Sequence, residues 1–350
     1  MSRWRNRLLT VATVATVATV GSVLASCTTV GRDATPRQRQ TPPVARNDGG
    51  STTAARPTAA PPAPPEKGPE SMPVPASSFN CPEVLVAARK GGSSPDRYVI
   101  PTAAERTDMS RLFAQFGIEA TGALSTPAQR LGFELAALPS QPGVWSLVEA
   151  ADKKRGGGGY LLRLPSASRL IVQAPHTFYD EGTLPLACEL FERAEAQALF
   201  IETAHRYKAA EAGAAGNFPA DLAHSEESLF QAATLGLLAR RDGATIVQLH
   251  GFGPRESGAD VVLSSGATET TPLVDAARRA LSEVVGNVAR FPQESRELGA
   301  TTNVQGALAR QHGANFLHVE MSAELRQRLL ADAELRARFL QALLRGLATP

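Results

Sequence analysis

The chain has 350 residues, 36 of them Lys or Arg and 34 Asp or Glu, for a formal net charge of +2 at pH 7. A balance so close to neutrality excludes an electrostatic case for nucleic acid as a partner. Once the unusual N-terminal stretch is set aside, the remaining residues suffice for one large domain, or one domain with a small N-terminal piece.

Arg3, Arg5 and Arg7 form a positive start, and residues 8–24 an apolar stretch built on Val-Ala-Thr. That stretch is short for a membrane span and rich in Thr. It runs into Leu24-Ala25-Ser26-Cys27, which resembles the lipobox of bacterial lipoproteins. The resemblance implies a signal peptide over 1–26 and lipidation, with palmitate among the acyl chains, at Cys27. Membrane lipid is then a partner. The expected place is the cell envelope, on the outer face of the inner membrane or on the outer membrane. Residues 27–79 are dominated by Pro, Ala, Thr, Arg and Gly with no apolar periodicity. Such a segment buries too little surface to offset its chain entropy, so a disordered tether is expected. As a coil of about 50 residues it would reach roughly 40 Å.

Helical spacing is expected over 103–117 and 127–138. The glycines of 156–159 form a turn before the alternating 160–164, which reads as an edge strand. Strands follow at 169–174, 198–203, 244–249, 261–263 and 314–319. Helices fall at 184–197, 227–241, 272–285 and 322–346. The alternation argues for an α/β three-layer sandwich with a mostly parallel central sheet. The expected division is an N-terminal α/β extension at 80–164 and a larger α/β domain at 165–350. Cys81 and Cys188 are the pair left after lipidation. They can bridge in an oxidising envelope or stay as free thiols, and sequence supplies no distance to choose.

Active sites in such sheets form at the carboxyl ends of strands. Three strand ends carry chemistry. The first is Pro175-His176-Thr177-Phe178-Tyr179-Asp180-Glu181-Gly182-Thr183, the second His250-Gly251, the third Glu320. Imidazole and carboxylate are both zinc ligands, and a further carboxylate can serve as base, so the set points to a metal-assisted hydrolase. Arg206, beyond the strand at 198–203, is a candidate for bidentate binding of a substrate carboxylate. His205, Asp221 and His224 are rival or supporting site residues. Asn303 and Gln305 suit either a cleft lining or ordinary loop chemistry. His318 shares one strand face with Glu320.

The spacing from His176 to Glu181, with Thr183, resembles the metal loop of poly-gamma-glutamate hydrolases, although Thr177 and Phe178 stand where those have glycines. The loop also looks like that of zinc carboxypeptidases, whose pattern would put the acid at Tyr179. N-acetylmuramoyl-L-alanine amidases offer a His-x-x-x-Asp matched by His176 and Asp180, with a ligand on the next helix, where Glu189 and Glu192 lie. The resemblance implies Zn2+ held by His176, Glu181 and His250, with Asp180 the rival acid, and Glu320 as general base. It implies a lipid-anchored hydrolase cleaving an amide bond in a peptide-like substrate such as peptidoglycan. The alternative is a non-catalytic lipoprotein of the same fold that binds cell-wall peptide or metal.

Overall fold

The computed structural model describes residues 81–90, 98–119, 121–207, 218–239, 243–255 and 258–348, all within one unit that spans Gly68–Pro350. The lipobox, Cys27 and the tether lie outside the described residues. Helix α1 (Glu83–Lys90) is pinned at its start by a disulfide from Cys81 to Cys188, with Cα atoms 5.3 Å apart. Helix α2 (Ala103–Gln115) opens with a capping box between Thr102 and Glu105. The helix expected at 127–138 is instead a short α3 (Ser125–Arg130) and a strand β1 (Phe133–Ala137). Gly132, at φ +82°, stops the helix, and beyond it buried Phe133 alternates with exposed Glu134.

Strands β2 (Val144–Glu149) and β3 (Gly159–Arg163) follow, then β4 (Leu170–Ala174), α4 (Thr183–Arg193), β5 (Ala198–Ile201), α5 (Leu229–Leu238) and β6 (Thr245–Phe252). The chain continues through β7 (Val261–Ser264), α6 (Pro272–Ser282), β8 (Val288–Arg290), α7 (Val304–Gln311), β9 (Asn315–Ser322), α8 (Ala323–Ala331) and α9 (Ala333–Leu347). The single closing helix expected over 322–346 is thus two. Asp332 leaves helical geometry and caps α9 by accepting from the backbone of Glu334 and Leu335.

One sheet has the order β1-β2-β3-β5-β4-β6-β9-β7-β8. Its middle, β5-β4-β6-β9, is parallel, β7 pairs with β8 in parallel, and the remaining pairings are antiparallel. Strand β3, expected at an edge, has partners on both sides. Residues 80–164 supply β1 to β3 to this same sheet. From β4 the chain crosses to β5 on one side and then to β6 on the other. In such sheets a reversal of this kind marks the carboxyl ends of the two diverging strands, here β4 and β6, as the place for a site.

Strand alternation sorts the side chains into two cores. Val172, Val247, Leu249, Leu317 and Val319 pack with α4, α6, α8 and α9. Ile171, Phe200, Ile246 and Phe316 pack with α2 and α5 on the other face. Gln173, Gln248, His250, His318 and Glu320 continue the same alternation on that second face, at two-residue steps from Ile171, Ile246 and Phe316. Polar groups are therefore stacked where the second core gives out toward the strand ends.

Candidate functional site

The loop after β4 is one helical turn: the backbone N–H groups of Tyr179 and Asp180 both donate to the His176 carbonyl, at 3.0 and 2.7 Å. Residues four apart meet on one side of such a turn. Asp180 is accordingly buried beside His176, while Glu181, one residue further round, is exposed. The acid brought to the two histidines is Asp180, and the expected place of Glu181 is corrected by this geometry. Glu189 and Glu192 face elsewhere, pairing with Arg193 and Arg336 and with Arg163.

His250 sits near the end of β6, in register with Glu320 on β9. Its Nδ1 is 3.2 Å from His176 Nδ1 and 3.3 Å from Asp180 Oδ2, and His176 Nδ1 is 3.6 Å from the same oxygen. Asp180 Oδ2 has no hydrogen-bond partner although it is buried. The other ring nitrogens are engaged. His176 Nε2 lies 2.8 Å from Asp221 Oδ1, and His250 Nε2 2.9 Å from Gln248 Oε1. An acceptor at each Nε2 places the proton there and turns the Nδ1 lone pair inward.

The orientation of Gln248 is set by its own partners. Its Nε2 donates to Gln173 Oε1 at 3.0 Å and to Gln305 Oε1 at 3.1 Å, so its oxygen faces His250. Asn303 Nδ2 donates to that oxygen at 2.5 Å, while Asn303 Oδ1 caps α7 by accepting from Gly306 N–H. Gln173 in turn donates to Thr234 Oγ1, and Gln305 to the Leu222 carbonyl. Asn303 and Gln305 therefore support His250 from below.

Asp221 gathers three partners: His176, His224 Nδ1 at 3.0 Å, and the Arg206 guanidinium. Arg206 Nη1 also stands 3.2 Å from His176 Nδ1, and its buried Nε has no partner. His205 stays outside the cluster among Phe178, Tyr179 and Tyr207. Glu202, fully buried, accepts from Phe178 N–H at 2.8 Å and so helps to fix the loop. Glu320 and His318 are buried side by side, 3.7 Å apart, with Glu320 Oε2 and His318 Nδ1 unpartnered.

Burial pushes His250 down to about 4, against the opposing pull of the nearby Asp180 carboxylate, so the ring is neutral at neutral pH. Burial likewise holds His318 well below its usual range. Burial would raise Asp180 and Asp221. The imidazoles facing Asp180 reverse this there, and His176, His224 and Arg206 do so for Asp221, so both stay ionised. Glu320 is pushed up to about 8, by burial first and then by the Asp180 charge.

Among the described residues two groups can hold a metal ion: His176, Asp180 and His250, and the overlapping His250, His318 and Glu320. In the first, the three edges of 3.2, 3.3 and 3.6 Å match the donor separations of about 3.3–3.6 Å in a tetrahedral zinc site with bonds of about 2.0–2.2 Å. The site thus fits zinc by shape, by donor type and by its unpartnered buried oxygen. Gln248, Gln173 and Glu202 escaped sequence reasoning. The signal available was a glutamine at the same face, two residues before His250, inside an otherwise apolar strand.

No family model matches the chain, and no curated protein matches it. Several solved structures are similar. A bacteriophage poly-gamma-glutamate hydrolase is 13% identical with a TM-score of 0.37, over 52% of this chain and 84% of that one. An N-formylglutamate amidohydrolase from Ralstonia eutropha JMP134 is 16% identical with a TM-score of 0.36, over 55% of this chain and 96% of that one. A metallo-carboxypeptidase from Burkholderia cenocepacia is 15% identical with a TM-score of 0.35, over 65% of this chain and 68% of that one. These likenesses are distant, and the chemistry of the site rests on its own donors.

Proposed function

We propose that the protein hydrolyses an amide bond in a peptide-like substrate, using a zinc ion held by His176, Asp180 and His250. The observation that carries this reading is the triangle of two inward-facing Nδ1 atoms and one unpartnered carboxylate oxygen. Two imidazoles and a carboxylate suit zinc, whereas calcium and magnesium take oxygen ligands. Three protein donors leave a fourth position open, as catalytic sites require. Bound there, zinc would polarise an amide carbonyl and make water a stronger acid.

The protein's own groups take the remaining roles. Asp221 and Gln248 hold the two rings in the tautomer that keeps each Nδ1 lone pair inward. Glu320, whose carboxylate form a divalent ion beside it would favour, would receive a proton from water at its free Oε2 and pass it to the leaving nitrogen. Arg206, anchored by Asp221, offers its guanidinium to a substrate carboxylate or to charge developing on the carbonyl oxygen. The finer reading is a lipid-anchored enzyme acting on a cell-envelope polymer such as peptidoglycan. It rests on Leu24-Ala25-Ser26-Cys27 and the long tether.

The test is release of amine from muropeptides and γ-glutamyl peptides by zinc-loaded protein. Turnover should vanish on chelation and return with zinc. Glu320→Gln should lower it by about 10²–10⁴-fold with zinc content unchanged. Metal-free protein as active as the loaded form would refute the proposal, and zinc binding without turnover of either substrate class would turn the reading toward a binding protein.

A further inference from the structure

Three segments far apart in sequence carry the donors and Glu320, and one side chain touches the end of each. Arg326 lies in the first turns of α8, which begins where β9 ends, at Ser322, whose hydroxyl accepts from Leu325 N–H. This tight entry folds Arg326 back over the strand ends. Its Nε donates to the Glu181 carbonyl at 2.7 Å. Its Nη1 donates to the Met321 carbonyl and reaches the Phe252 carbonyl at 3.5 Å. Glu181 follows Asp180, Phe252 lies two residues beyond His250, and Met321 follows Glu320.

Room for the guanidinium is made by Gly251, the residue after His250. A Cβ there would lie 2.0 Å from Arg326 Nη1 and 2.3 Å from its Cζ. Gly182 turns beneath the same side chain at φ +90°, where a Cβ would come 3.5 Å from Arg326 Cβ. Arg326 is 8% exposed. A buried cation with such partners spends its charge on backbone carbonyls, and its planar fork fixes their relative positions as a lysine ammonium cannot.

We propose that Arg326 is a positioning residue that sets the mutual spacing of the His176–Asp180 turn, the His250 strand end and the Glu320 strand end. The consequence for metal binding rests on the zinc reading above, but the spacing itself is measurable without metal. The experiment compares the full chain with Arg326→Lys and Gly251→Ala, the second of which displaces the guanidinium without altering it. Arg290→Met, in the ion-pair cluster with Asp275 and Glu294, is the control. Hydrogen exchange followed by mass spectrometry is read on zinc-free protein, and zinc affinity by competition with a chromophoric chelator.

Arg326→Lys and Gly251→Ala should speed exchange together in 177–183, 251–253 and 320–323 and leave β1 to β3 unchanged. Both should weaken zinc binding by about 10–100-fold, the scale for outer partners of metal ligands. Arg290→Met should lower melting temperature with neither effect. Native exchange in the three segments of both folded variants overturns the proposal. A wild type that binds no zinc overturns the functional reading instead, and the exchange test then still decides on Arg326.

Discussion

Glu320 should make the zinc-free protein lose stability as pH rises, and Glu320→Gln should remove that loss. The unfolded chain releases this proton near 4.5, while burial and the Asp180 charge hold it in the folded state up to about 8. Below 4.5 both states carry the proton and the contribution of the group is fully present. Between 4.5 and 8 only the unfolded state gives the proton up, so unfolding is increasingly favoured, and above 8 the contribution is gone. Raising a carboxyl from 4.5 to about 8 amounts to about 5 kcal/mol in all, of which about 3–4 kcal/mol falls between pH 5 and pH 8. Urea unfolding of zinc-free wild type and Glu320→Gln at those two pH values measures it. Other titrating groups act alike in both proteins, so the difference between the two pH losses isolates Glu320. Wild type should lose about 3–4 kcal/mol more than the variant, with similar m-values. Saturating zinc should shrink the wild-type loss, because a divalent ion favours the charged carboxylate. Equal pH losses in both proteins would show that Glu320 does not hold its proton in the folded state.

Asp180→Ala should abolish tight zinc binding while Glu181→Ala leaves it within about threefold, as measured by chelator competition; the reverse order would restore Glu181 as ligand. Gln248→Leu removes the acceptor for His250 and strands Gln173, Gln305 and Asn303. It should cost about 1–3 kcal/mol for each buried partner left unsatisfied and weaken zinc about 10–100-fold. Gln248→Glu keeps the acceptor and should lose stability with much less change in zinc affinity. Paired Cys81→Ser and Cys188→Ser changes open a covalent loop with a sequence separation of 107. They should lower stability in urea titrations by about 2–5 kcal/mol. Cys27→Ser should abolish labelling by a radioactive or clickable fatty acid; unchanged labelling would remove the lipoprotein reading.

The strands that carry the site were legible because each is a largely apolar run that leads into a histidine or a glutamate. His176, His250 and Glu320 stand out by position as well as by type. The choice between Asp180 and Glu181 was not legible, because it depends on whether the loop is extended or one helical turn, and Thr177-Phe178-Tyr179 does not declare that. Strand β1 was hidden because Leu131, Leu135 and Leu138 also satisfy helical spacing, and the stop at Gly132 depends on its left-handed backbone. Helix α7 was hidden within a stretch of Thr, Asn and Gln that reads as loop, yet its cap Asn303 and its first-turn Gln305 meet Gln248 only through tertiary packing. Arg326 was indistinguishable in sequence from the surface arginines of the closing helices. What singles it out is Gly251, some 75 positions away.

Anomalous diffraction at the zinc absorption edge, from crystals grown with zinc, locates the ion and its ligands. One peak per chain is expected at about 2.0–2.2 Å from His176 Nδ1, Asp180 Oδ2 and His250 Nδ1, with Glu320 facing it and not bound to it. No peak at that point under saturating zinc, or a peak held by Glu181 or by His318 and Glu320 without His176, would contradict that ligand set.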